Sequence, residues 1–501
     1  MALSTVAVIG GGLAGCECAY ALAGAGVGVR LFEMKPERFS PAHVNPDLGE
    51  LVCSNSFRSD APDSAVGVLK REMRRLDSLT MRVADSVRVP AGKALAVDRA
   101  RFAAGISEKI GQQPLISVER REITQIIAGH CLAPPLDGCD AVVIAAGPLA
   151  SDALAEALAG ITGSGHLHFY DAIAPVVDGA SVNMDLAFWG ARYQPESRDY
   201  LNCPMNLEEY TAFHEALLAG RTFMARDFEE ERHFEGCMPI EALAGRGFRT
   251  LSFGPLKPVG FTDPRSGKRP YALLQLRAEN LNKSMFNLVG CQTKLTYPEQ
   301  ARIFRMIPGL EQAEFVRFGS MHRNTFVNAP EALAPDLSLK ALPPGLPPVF
   351  LAGQITGVEG YVESAACGLW LGRFLAARAQ GRHLPPPPLD SALGALLGHL
   401  RTAAKRFQPS NVQFGLMPEL GVRAGKADRK ALYGQRAEAA FSAWLNAAQP
   451  VADSDTPDKA GQPVAPDEAG QPVAPDEAGQ ALAPEAGQPD ATEAGQPAAK
   501  D

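Results

Sequence analysis

Two short apolar runs near the start of the chain enclose a glycine-rich break. Thr5 to Ile9 is apolar and β-branched, which predicts a buried strand. Gly10-Gly11-Gly12-Leu13-Ala14-Gly15 interrupts it. Alanine-rich Cys16 to Ala25 then predicts a helix stopped by Gly26, and Val27 to Phe32 a second strand that ends at Glu33. The same grammar returns twice. Residues 141–147 read as a buried strand closed by Gly147, and Pro348 to Gly353 as another. The latter meets a turn, Gln354 to Gly360, and a helix from about Tyr361 to Ala379. Further helical stretches fall at 390–405 and 425–448. Strand–helix alternation of this kind predicts an α/β unit with a parallel sheet. Its halves lie about 200 residues apart in sequence, and the middle, 166–300, is rich in aromatics, Arg and Pro. That middle is expected to be an inserted α+β domain.

From residue 450 onward the pattern disappears. Ala-Gly-Gln recurs at 460, 469, 478, 486 and 494 with no aromatic residues, which predicts a disordered acidic tail over 450–501. The tail also changes the charge picture. Residues 451–501 hold eleven Asp/Glu and two Lys, a net of −9, whereas the whole chain is −8. The body is therefore near neutral, and a polyanionic partner is not excluded. The 46% apolar content suits a soluble globular protein, and no apolar run is long enough for a membrane span. Nine scattered cysteines without a paired framework predict reduced thiols and a cytoplasmic location. None has zinc-site spacing, so no metal is expected.

Candidate chemistry begins at the glycines. Gly10-x-Gly12-x-x-Gly15 between strand and helix is the context a dinucleotide needs. The first glycine allows the turn, the second lets backbone approach the pyrophosphate, and the third lets helix and strand pack closely. Glu33 is placed to accept hydrogen bonds from a ribose. The bland alternative is an ordinary strand–helix turn. The fingerprint alone does not separate FAD from NAD. The late Gly353, Gln354, Gly360, Tyr361 segment favours FAD, because it returns a second helix N-terminus to the flavin side. The expected frame is a Rossmann-like FAD-binding domain of glutathione-reductase type. Its cofactor residues are Gly10, Gly11, Gly12, Leu13, Ala14, Gly15, Glu33, Gly147, Gly353, Gln354, Gly360 and Tyr361. The organisation is then 1–165 and 301–449 for that domain, 166–300 for the insertion and 450–501 for the tail.

Cys53 lies in a polar stretch and Cys237 between Gly and Pro, so each is either a reactive thiol or a structural one. His322, flanked by Arg317 and Arg323, either stacks on a ring or is a hydrogen-bonded loop histidine. Lys70, Arg71, Arg74 and Arg75 form a helical stripe, and Arg265, Lys268 and Arg269 sit in a Pro/Gly-rich loop. Such runs either solvate a surface or neutralise phosphates.

Several longer segments carry a resemblance: VAVIGGGLAGCECAY, GELVCSNSFRSD, VPAGKALAVDR, FEGCMPIE, DPRSGKRPYALLQLR, RFGSMHRNTF, LAGQITGVEGYVESAACG and FQPSNVQFGL. Together they cover most of residues 5–420, and the chain resembles the folate- and FAD-dependent tRNA (uracil-C5)-methyltransferases. That resemblance implies methylation of uridine 54 in the tRNA T-loop. The one-carbon unit would come from methylenetetrahydrofolate and the electrons from FAD reduced by NADH or NADPH. It implies Cys237 as the nucleophile toward uracil C6, Cys53 as acid/base or second thiol, and His322 as the folate-stacking residue. Lys70, Arg71, Arg74, Arg265, Lys268 and Arg269 become the RNA contacts. Glu359 and Glu363 carry no assigned role. Two alternatives stand beside it. One is a flavoprotein of wobble-uridine modification, normally longer and with a helical C-terminal domain. The other is a small-molecule FAD/NAD(P)H oxidoreductase.

Overall fold

The computed structural model describes residues 3–163, 167–192, 194, 196–223, 238–404, 407–422 and 425–448. Cys237 and the repeat tail lie outside the described residues.

A five-stranded parallel sheet organises the first half of the core. Its order is Val349–Leu351, Ala141–Ile144, Thr5–Ile9, Gly28–Glu33, Ile116–Arg120. Every neighbouring pair in it is parallel. The central strand Thr5–Ile9 is buried on both faces, which is why it reads as an unbroken apolar run rather than an alternating one. Val349–Leu351 joins the sheet from more than 200 residues downstream of its neighbour, so the two distant α/β pieces share one sheet and one apolar core. Phe350 is fully buried there, and its truncation to Ala would cost about 3–5 kcal/mol.

Helices cover this sheet. Leu13–Gly24 starts three residues earlier than expected, because the glycine turn already has helical geometry from Leu13. It packs along Tyr361–Ala379 at unusually short range. A Cβ on Gly368 would lie 2.1 Å from the Ala14 carbonyl oxygen, and one on Gly372 2.8 Å from that of Cys18. Small residues on both helices are what allow the approach, and they fix how the late helix meets the glycine turn. The expected helix over 390–405 is shorter, Ala392–His399. The last described helix, Lys426–Ala448, is tied to Ala65–Arg75 by Arg75, which contacts Glu438 at 2.7 Å and lies over the Phe441 ring.

The middle of the chain builds a different layer. Six strands run in the order Phe188–Gly190, Tyr200–Met205, Ala272–Ala278, Met285–Leu288, Val176–Asp178, Phe315–Arg317. All of their pairings are antiparallel. This sheet has its own apolar core and extends past residue 300 by taking its edge strand from Phe315–Arg317. A separate antiparallel pair, Leu167–Ala172 with Met321–Phe326, stands next to it in the chain and sets Asp171 opposite His322. Among the described residues no helix is long and apolar enough to cross a membrane.

Candidate active site

The glycine turn opens into a cleft that is partly open to solvent. Gly10, Gly11, Gly12, Leu13, Ala14, Glu33, Gly147, Gly353, Gln354 and Tyr361 all line it. Gly10 has φ +107°, and a Cβ there would sit 2.5 Å from the Ala145 carbonyl oxygen. On Gly15 a Cβ would fall 1.9 Å from the Gly10 carbonyl oxygen, so this position is held by close packing of helix against turn. Gly12 has open space where its Cβ would be, which leaves backbone accessible from the cleft. Gly360, with φ +107°, is the N-cap of the late helix rather than a lining residue.

Two helices start at this cleft, Leu13–Gly24 and Tyr361–Ala379, and neither has a side-chain cap. Elsewhere Ser64, Ser78, Asp98, Ser151, Asn206 and Ser391 cap their helices with side-chain oxygens. The uncapped termini leave free N–H donors and a positive dipole end for an anionic group. Glu33 accepts from the Gly11 N–H at 2.8 Å and the Lys35 N–H at 3.0 Å. This pins its carboxylate where the second strand ends. Glycine turn, open backbone, uncapped termini and terminal carboxylate fit a dinucleotide such as FAD.

Cys53 comes to this cleft through its backbone. Its N–H donates to Tyr361 Oη at 2.7 Å, and that of Ser54 does so at 3.2 Å. Burial first, then the Cys53 charge, pushes the Tyr361 hydroxyl above its usual range. Three arginines hold the surrounding segment. Arg99 contacts the Leu51 carbonyl and forms a 2.7 Å ion pair with Glu279. Arg317 donates to the Val52 carbonyl at 3.0 Å, and Arg277 to Ser54 Oγ and Asn55 Oδ1, both at 2.8 Å. Burial pushes Arg277 downward and Arg317 down to about 10. The Cys53 thiol lies within electrostatic reach of all three guanidinium groups, and of Glu359 and Tyr361. Cys53 is half-buried, whereas Cys16, Cys18, Cys203, Cys291 and Cys367 are buried and have thiols pushed upward by that burial.

His322 is half-buried on the strand opposite Asp171, and its Nε2 lies 2.9 Å from Ser320 Oγ. Burial, then His43 and Arg317, lower its basicity, so the ring is neutral near pH 7. Glu359 is buried. Burial and the Asp171 charge drive its carboxyl upward, and Gln354 Nε2 donates to both its oxygens at 3.1 Å.

Several residues of this site escaped the sequence reading. His43, Lys35 and Glu50 line or support the cleft, with Lys35 Nζ held by Glu50 at 3.0 Å and by two backbone carbonyls. Arg277 carried a signal: a charge inside the strand Ala272–Ala278, which is apolar apart from it and Gln275 and is buried throughout. Arg99 had no comparable mark.

The expected RNA contacts are corrected in part. Lys70 is fully buried, with Nζ donating to the Phe57 and Arg58 carbonyls at 3.0 Å, so it cannot meet a phosphate. Arg74 is gripped by Asp60 and Asp85, and Arg265 by Asp263 and Glu209. Both guanidinium groups are occupied within the fold. Arg71 is half-buried and reaches the Pro62 carbonyl only at 3.4 Å. Lys268 and Arg269 are exposed.

Fold and cleft together define a dinucleotide-binding α/β protein of flavoprotein type, with a half-buried cysteine beside the cleft. The sequence profile described as glucose inhibited division protein A matches residues 5–383. In structure the chain is similar to GidA of Aquifex aeolicus, with a TM-score of 0.61 over 88% of this chain and 73% of that one at 18% identity. That likeness speaks for the fold. Closer in sequence is the methylenetetrahydrofolate–tRNA-(uracil-5-)-methyltransferase TrmFO of Oleidesulfovibrio alaskensis, 65% identical over 88% of this chain and 97% of that protein. TrmFO of Lawsonia intracellularis is 53% identical over 89% of this chain and 98% of its own length. The chain belongs to the TrmFO family of the GidA-related flavoproteins.

Proposed function

We propose that this protein methylates C5 of uridine 54 in the tRNA T-loop, with methylenetetrahydrofolate as one-carbon donor and NADH or NADPH as electron source. The carrying observation is the bond from the Cys53 N–H to Tyr361 Oη, which fixes a thiol-bearing segment at the cleft that fits FAD. Near-complete coverage of TrmFO relatives supports the same reading, as does the 65% identity.

Bound FAD, once reduced, supplies the two electrons that turn a transferred methylene into a methyl. The protein's own groups do the rest. Cys237 adds as thiolate to uracil C6, which makes C5 enolate-like and able to attack the one-carbon unit. A base then removes the C5 proton as the bond from the one-carbon unit to the tetrahydrofolate nitrogen breaks, the exposed methylene takes up the two electrons and a proton to become the methyl, and the Cys237 thiolate leaves by elimination. Cys53, among Arg99, Arg277 and Arg317, is the acid/base or second thiol. Neutral His322 offers an uncharged ring face for the folate pterin. Lys268 and Arg269 remain the exposed candidates for phosphate contact. The cytoplasm is the expected compartment.

Purified protein incubated with unmodified tRNA, methylenetetrahydrofolate and NAD(P)H should yield 5-methyluridine in the T-loop by mass spectrometry. Cys237→Ala should abolish it while the protein keeps its flavin. Retained methylation in that variant would remove Cys237 as nucleophile. Flavin reduction without any RNA product in the wild type would return the protein to the oxidoreductase class.

A further inference from the structure

Beside the Cys53 segment, four aromatic rings form a row. Phe315 and Phe318 stack with centroids 5.0 Å apart and planes 13° apart. Phe318 and Tyr297 repeat the arrangement at 5.0 Å and 16°. Phe223 then meets Tyr297 edge-on at 5.6 Å. The Arg305 guanidinium, 5.9 Å from the Phe315 centroid, closes one end. The other end is open, with Tyr297 47% and Phe223 42% exposed. Aromatic rings carry most of their value when buried, so a stacked row ending in solvent points to a ligand with flat faces of its own.

One end of the row is tied to the Cys53 segment. Arg317, next to Phe318 in the chain, reaches the carbonyl of Val52, the neighbour of Cys53. At the open end the Phe223 N–H donates to the Lys294 carbonyl at 2.7 Å, and the Ile240 N–H to that of Gln292 at 2.7 Å. Arg221 and Arg302, 78% and 53% exposed, both face Glu299, at 3.5 and 2.5 Å.

We propose that the row Phe315, Phe318, Tyr297, Phe223 is a stacking platform for unpaired RNA bases next to the reacting uridine. The inference rests on the function proposed above. A uridine offers C6 to a thiol only after leaving its stack, and its neighbours then lose a partner face. Aromatic rings replace that face for any base, while Arg221 and Arg302 meet the backbone phosphates.

The test compares Tyr297→Leu with Tyr297→Phe in the full chain, read as KM for an unmodified tRNA transcript. The leucine variant keeps apolar bulk but loses the ring, and its KM should rise about tenfold. The phenylalanine variant should match the wild type. Equal KM in all three proteins overturns the proposal, and so does a rise in both variants. A lower melting temperature for Tyr297→Leu with unchanged KM assigns the ring to internal packing and also overturns it. If the wild type makes no 5-methyluridine, the functional reading fails separately. Fluorescence anisotropy with the same transcript then decides the platform: an affinity loss of the same size in Tyr297→Leu alone supports it, and equal affinity in all three proteins overturns it.

Discussion

The glycine cleft and the basic stretches use residues whose type is dictated to very different degrees. At Gly15 the neighbouring Gly10 carbonyl leaves no room for a Cβ, so one residue type fits and its spacing betrays the fold. A basic side chain carries no such constraint. Lys70, Arg74 and Arg269 look alike in sequence, yet Lys70 is buried on two carbonyls, Arg74 is paired twice and Arg269 is exposed. Steric necessity is local and legible, whereas the partner of a long charged side chain is chosen by tertiary structure.

The largest effect is expected where that necessity is strictest. Gly15→Val should remove nearly all bound flavin, measured as flavin absorbance per protein, because its Cβ overlaps backbone that cannot move without opening the turn. Gly147→Ala is the counterpart. Open space surrounds its Cβ but φ is +67°, so it should cost about 1–2 kcal/mol and keep the flavin. Equal flavin loss in both variants would break the distinction between packing and conformation.

Next comes the basic side of the comparison. Lys70→Met leaves the Phe57 and Arg58 carbonyls without their donor and Asp60 without a cation 3.8 Å away. Urea unfolding should show a loss of about 3 kcal/mol, with tRNA affinity unchanged once the protein is folded. Arg269→Ala should do the reverse, weakening tRNA binding and lowering its salt slope by about 1. A tRNA affinity loss in folded Lys70→Met would restore it as an RNA contact.

A smaller effect belongs to the hinge between cleft and thiol. Tyr361→Phe strips the oxygen that accepts from the Cys53 and Ser54 N–H groups, a loss of about 1–3 kcal/mol locally. Cys53 should then react faster with an alkylating reagent. An unchanged rate would mean that the arginine contacts alone hold the segment.

The same division explains what could be read in advance. The strand–turn–helix at the start, Glu33 at the second strand's end and the late helix at Tyr361 all follow from periodicity and glycine spacing. The share of one sheet by Thr5–Ile9 and Val349–Leu351 was legible because both are short apolar runs closed by glycine. The surroundings of Cys53 were not. Arg99, Arg277 and Arg317 come from three elements far apart in the chain, and nothing local in any of them names the partner. The aromatic row was hidden for the same reason, since Phe223, Tyr297 and Phe315 meet only through the sheet and its neighbouring helix.

The smallest effect tests a buried charge on the basic helix Ala65–Arg75 itself. Glu72 is 1% exposed, and its oxygens accept from the Ala392 and Leu393 N–H groups at 2.9 and 2.7 Å, capping the helix Ala392–His399 from another element. Burial outweighs these two bonds and pushes the carboxyl up to about 8. Its folded value therefore lies above the ordinary 4.5, and between those limits the folded state holds a proton that the unfolded chain has released. The contribution to stability is complete below about pH 4.5 and is lost as pH rises through 8. Glu72→Gln is neutral at every pH and keeps one acceptor oxygen, so it should cost about 1 kcal/mol at pH 5. Its deficit in melting temperature against the wild type should shrink as pH rises from 5 and reverse before pH 8. A deficit that stays constant would mean that the two N–H bonds keep Glu72 ionised throughout, with hydrogen bonding rather than desolvation governing this cap.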